Sequence, residues 1–102
     1  MIKLPHTPNI DITLGLKHCN QNRALYLKIL KSFVERYQHL NLNELEEKER
    51  DRTLHSLKGL TATLGMVKLN QLLREIEESS NPIVINNFQQ LLSQTIMDII
   101  NM

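Results

Sequence analysis

The stretch LHSLKGLTATLG, Leu54 to Gly65, decides how this chain folds. At about 100° per residue, Leu54, Leu57, Leu60, Thr61 and Leu64 fall within an arc of about 120°, the stripe of an amphipathic helix turned toward a core. By the same geometry His55 lies about 170° from the middle of that arc, and Lys48, Asp51, Lys58, Gly59 and Ala62 lie within about 60° of it. His55 is therefore expected to stand in water on a ridge. Gly65 ends the helix, because glycine takes the left-handed conformation without strain.

Upstream, in NLNELEE (residues 41–47), Asn43 and Glu46 have the spacing of a capping box, which predicts a helix from Glu44 to Leu64, roughly 31 Å long. Its first half is almost entirely charged, and EEKERDR (residues 46–52) reads as a solvated face. Before it, Asn22 can cap a long helix in which Tyr26, Ile29, Leu30, Phe33, Tyr37 and Leu40 share one side. Asp11 opens a short helix over ITLGLKHC, residues 12–19. Pro5 and Pro8 mark residues 1–9 as a linker or flexible lead-in, with the helical domain over residues 10–102. Downstream, Leu69, Leu72, Leu73 and Ile76 form one stripe. Asn81 then caps, and Pro82 begins, a last helix that buries Ile85, Phe88, Leu91, Leu92, Ile96, Ile99 and Ile100. No alternating strand pattern, repeat or low-complexity tract occurs. The expected fold is all-α, an antiparallel four-helix bundle with a short additional N-terminal helix across one end.

Composition narrows the function. The 102 residues suffice for one core, and with no Trp, two Tyr and two Phe that core must be aliphatic. Twelve Lys and Arg against eleven Asp and Glu leave a net charge of +1, too little to hold nucleic acid or anionic lipid by a broad field. No apolar run approaches the roughly 18 residues of a membrane span, so no membrane contact by this segment is expected. Cys19 is the only cysteine, which points to a reducing, cytoplasmic setting and a small buried side chain.

The outer ridge carries the chemistry. A glycine inside a helix costs about 1 kcal/mol relative to alanine, and Gly59 caps nothing and lies on the outer side beside His55. The missing side chain leaves room for another surface to approach the imidazole. A solvated imidazole is largely neutral near neutral pH and is a competent nucleophile. Lys58, one turn beyond, can bring an ammonium to a phosphoryl group on that ring, a contribution of roughly 1 kcal/mol at about 4 Å in water. His6, His18 and His39 have no acidic or sulfur partners at ligand spacing, and KHC (residues 17–19) lacks the paired ligands zinc requires. They read as ordinary surface or boundary residues, and no metal site is expected.

HSLKGLTATLG resembles the signature of histidine-containing phosphotransfer domains, the modules of multistep two-component phosphorelays. The matching residues are His55, Leu57, Lys58, Gly59, Gly65, Leu69 and the pair Ile76 and Glu77. IDITLGL and NRALYLKILKSF look like the family's lead-in and the helix before its active one, so the likeness covers about residues 10 to 100. The segment between Phe33 and His55 is several residues shorter than usual and unusually charged.

The resemblance implies that His55 accepts a phosphoryl group, on its Nε2, from a receiver-domain aspartyl phosphate and passes it to another receiver aspartate. Lys58 would stabilise the phosphoryl charge and Gly59 would give clearance. Lys48, Asp51, Arg52, Ala62 and Thr63 would form the surface that meets response-regulator receiver domains. The partner would supply Mg²⁺, and this domain would bind no cofactor and act as a monomer. It would be a phosphocarrier rather than a self-sufficient enzyme. LPHTPNID (residues 4–11) resembles the linker before such modules at the C-terminal end of hybrid sensor histidine kinases, which implies a parent chain that can be anchored in the inner membrane. A non-catalytic helical adaptor is the alternative. The dimerisation helices of a histidine kinase fit less well, because Ser56 stands where an acidic residue normally follows the histidine.

Overall fold

Five α-helices follow one another along the chain: α1 (Ile12–His18), α2 (Arg23–Tyr37), α3 (Glu47–Leu64), α4 (Val67–Ser79) and α5 (Pro82–Ile100). They belong to a computed structural model that describes residues 7–101. Among those residues there is no strand beyond an isolated bridge between Thr7 and Ile10. The all-α expectation is met. The radius of gyration, 13.5 Å, is that of a single packed body of this length.

Local chemistry starts and stops most helices where the sequence says. The Asp11 carboxylate accepts from the Leu14 amide at 3.0 Å, and the Asn22 side chain from Leu25 at 3.0 Å. Asn81 accepts from Ile83 at 2.8 Å ahead of Pro82. Each satisfies an amide that a helix start leaves without an internal partner. Gly65 caps α3 at φ 81°, in the left-handed region.

The start of α3 departs from expectation. The helix begins at Glu47, not Glu44, and no capping box forms, since Glu46 makes no side-chain cap bond. Instead Asn41 accepts from the Asn43 amide at 3.0 Å and opens a single 3₁₀ turn, Leu42–Glu44. The reason is long-range. Leu42 is fully buried, its amide donates to Gln89 Oε1 of α5 at 2.8 Å, and Gln89 Nε2 donates to the Leu40 carbonyl at 3.0 Å. Arg50 Nε adds a bond to the Leu42 carbonyl at 3.2 Å. Burial and three hydrogen bonds outweigh the local preference for three more helical residues.

The lead-in also differs where it is described. Thr7 is buried, and Asp98 Oδ2 accepts from the Thr7 hydroxyl and from Asn9 Nδ2, each at 2.9 Å. Residues 7–9 are thus tied to α5, and residues 1–6, with His6, lie outside the described residues.

The core is aliphatic with a few rings, as composition requires. Tyr26, Leu30, Phe33 and Tyr37 of α2 meet Leu54, Leu57 and Leu64 of α3, Leu69, Leu73 and Ile76 of α4, and Ile85, Phe88, Leu92 and Ile96 of α5. Cys19 is buried among them as a free thiol. Ile100, expected inside, is 55% exposed, because the last turn of α5 meets α2 only across an open apolar groove that Ile99 and Ile100 share with Leu27, Leu30 and Val34, and Ile99 there is only half-buried. No helix among the described residues is long and apolar enough to cross a membrane.

α1 locks the far end of α3. The Tyr26 hydroxyl donates to the Leu64 carbonyl at 2.8 Å, and the Asp11 amide to the Gly65 carbonyl at 2.8 Å. Gly15 lets α1 come this close: a Cβ there would sit 2.6 Å from the Leu64 carbonyl oxygen and 2.8 Å from Tyr26 Cζ.

Burial, with smaller effects from Cys19 and Asp11, raises the Tyr26 hydroxyl from 10.0 to about 12. The folded state favours the neutral phenol, so this contribution is complete below pH ~10, the unfolded value, and is lost as pH rises toward about 12. Urea unfolding across pH should show that alkaline loss in the wild type. Tyr26→Phe should be less stable by about 1 kcal/mol at pH 7 and show a flatter alkaline limb; equal limbs in the two proteins would contradict the assignment.

Candidate functional site

The rotation of α3 sets the site. Leu54, Leu57, Thr61 and Leu64 are buried along one side, and His55 is exposed on the other. The Thr61 hydroxyl fits the core because it donates to the Leu57 carbonyl at 2.8 Å. Asn70 of α4 reinforces the same stretch: its Nδ2 donates to the Lys58 carbonyl at 2.9 Å and contacts Thr61 Oγ1 at 3.2 Å. The backbone that carries Lys58 is thereby clamped to α4.

An open groove of 530 Å³ runs beside His55 between α3 and α4. Glu47, Arg50, Asp51, Leu54 and His55 line one wall, and Ile76, Glu77 and Ser80 the other. Its floor is apolar and its rim charged. Across from this groove, beyond Gly59, the Thr63 hydroxyl donates to the Gly59 carbonyl at 3.0 Å, and His18 Nδ1 of α1 lies 3.1 Å from the Thr63 carbonyl.

The residues named from sequence are brought together in part. Lys48, Asp51, Arg52 and Ala62 are exposed on α3, and Thr63 is half-buried. Asp51 shares the groove with His55, while Lys48 and Arg52 do not line it. Lys58 is not a free cation. Its Nζ sits 2.9 Å from Glu77 Oε2 on α4, with the two side chains 34% and 37% exposed. Nothing lies within 4 Å of a Cβ built at Gly59, so the ridge beside His55 is bare.

Four contributors were not assigned roles from sequence. Glu77 belongs to the motif, but the sequence alone gives it no partner. Asn70, a polar residue inside the leucine stripe of α4, was the one signal that could have been used. Arg50 and Ser80 reach the groove only through the packing of α3 on α4. Of the remaining histidines, His18 and His39 are exposed. Among the described residues no group of three or more His, Cys, Asp and Glu side chains could hold a metal ion.

Chemically, this is an accessible imidazole with one flank cleared and a cation one turn away. It leaves space beside the ring for a second macromolecule, and the carboxylates of Glu47, Asp51 and Glu77 share its groove. Comparisons with family models, with curated proteins and with solved structures find no match to this chain.

Open space at Gly59 makes a sharp contrast with Gly15. Gly59→Ala should stabilise the fold by up to about 1 kcal/mol, whereas Gly15→Ala should destabilise it by about 1–3 kcal/mol through the clash with Tyr26 and Leu64. Thermal and urea unfolding of both variants checks this. Destabilisation by Gly59→Ala would mean that the glycine serves packing.

Proposed function

We propose that this domain is a histidine phosphotransfer module of a multistep two-component phosphorelay. On this reading α2 to α5 form an antiparallel four-helix bundle with α1 across one end, and the domain works as a cytoplasmic monomer. The observation that carries the proposal is the exposed His55 imidazole on a ridge bared by Gly59, beside an open groove. A glycine that costs helix stability, at a point where a Cβ would meet nothing, is explained by the need to admit a partner.

The transfer needs little from this chain beyond presentation. With its proton on Nδ1, the neutral ring attacks the phosphorus of a receiver's aspartyl phosphate through the Nε2 lone pair. The bond from phosphorus to the aspartate oxygen breaks, its electron pair stays on the receiver as carboxylate, and the ring keeps its Nδ1 proton. Transfer to a second receiver's aspartate reverses the same bonds. The receiver's acidic pocket supplies Mg²⁺, which neutralises charge on the phosphoryl oxygens. His55 is held on a rigid helix, so much of the barrier is met by positioning. Lys48, Asp51, Arg52, Ala62 and Thr63 surround the point of contact. Lys58 approaches the phosphoryl group once it arrives.

Incubation with a receiver domain carrying labelled aspartyl phosphate tests the proposal. The wild type should take up acid-labile label, and His55→Gln should take up none while keeping its helical circular dichroism. Label persisting on His55→Gln would move the site elsewhere. A wild-type domain that binds the receiver without acquiring label would be a helical adaptor.

A further inference from the structure

Lys58 and Glu77 form an ion pair that spans the two helices framing His55. Glu77 and His55 also line the same groove. The pair is not a rigid strut, since both side chains are about a third exposed. What is fixed is the base of the lysine, where Asn70 Nδ2 holds the Lys58 carbonyl at 2.9 Å. The four-carbon stem above it can swing between acceptors.

Two acceptors compete for that ammonium. In the structure Glu77 has it, at 2.9 Å. A phosphoryl group on His55, one turn away on the same helix, would add close to two negative charges to the same neighbourhood. The stronger charge of the phosphoryl oxygens would draw the Lys58 ammonium from the carboxylate, which would then face a groove that has become more negative.

We propose, on the basis of the phosphocarrier reading, that Glu77 is a positioning residue that sets how strongly the domain retains its phosphoryl group. It holds Lys58 while His55 is bare and draws it back when the group leaves. No covalent bond changes in this exchange: the ammonium keeps its three protons and swaps one acceptor oxygen for another. The carboxylate works against trapping, so that the phosphorylated domain remains a donor rather than a sink. A relay needs such a balance, because a carrier that held the group too firmly would stop the flow.

The test is the equilibrium partition of label between the domain and a receiver that charges it, measured for wild type, Glu77→Gln, Lys58→Ala and the double variant. Glu77→Gln should raise the labelled fraction on the domain relative to the receiver about two- to fivefold, the size expected for releasing one exposed ion pair. Lys58→Ala should lower it, and the double variant should match Lys58→Ala, because Glu77 acts through the lysine. An increase that persists without Lys58 would show that Glu77 acts by its own charge and would overturn the exchange. A decrease on Glu77→Gln would show that the carboxylate assists the ring and would overturn it too. A labelled wild type whose partition Glu77→Gln leaves unmoved would overturn this inference alone. Absence of label on the wild type itself would overturn the phosphocarrier reading and this inference with it.

Discussion

Burial of Leu54, Leu57, Thr61 and Leu64 fixes the rotation of α3 and with it the direction in which His55 points. Each fully buried leucine contributes roughly 1.5–3 kcal/mol, so turning the helix enough to bring the imidazole inward would forfeit several times what any contact of His55 could return. The same turn would drag Lys58 and Asp51 toward the core, where unpaired charges are costly. The exposure of one histidine is thus a consequence of where the leucines are. The far end of the helix is held just as firmly, by Tyr26 on the Leu64 carbonyl and by Asp11 on the Gly65 carbonyl. α3 cannot easily roll or slide.

On that fixed helix the site is made by what is missing as much as by what is present. Gly59 removes bulk on one side of the imidazole, and the groove toward α4 leaves the other side open. The charges nearby largely offset one another, with Lys58 on Glu77 and with Arg50 and Asp51 sharing the groove, and Glu47 leaves a small negative excess. A bare site of this kind holds no strong field of its own. On the phosphocarrier reading it would change character when a doubly charged group arrives, with the lysine as the mobile element.

Much of this was legible in the sequence because it is local. Apolar spacing at three and four residues gave the helices and their inner faces, and Asp11, Asn22, Asn81 and Gly65 marked ends by chemistry confined to a few residues. The placement of His55 followed from the leucine stripe alone. The departures at the start of α3, at residues 7–9 and at Lys58 share one cause, which is contact between residues far apart in the chain. Gln89 reaches back from α5 to the backbone at Leu40 and Leu42, and so replaces the first turn expected of α3 with a 3₁₀ turn. Asp98 ties down Thr7 and Asn9. The Glu77 carboxylate captures Lys58 from a neighbouring helix, which no helical wheel of α3 can reveal.

The account stands or falls on whether the His55 ring is open to attack on phosphorus. Treating the domain with phosphoramidate, a small chemical phosphoryl donor, and locating the modified nitrogen by long-range ¹H–¹⁵N NMR measures this without any partner. The account predicts a phosphoryl group on His55 Nε2 with the amide spectrum of the core unchanged. An unmodified His55 in a sample where exposed His39 has reacted would contradict it.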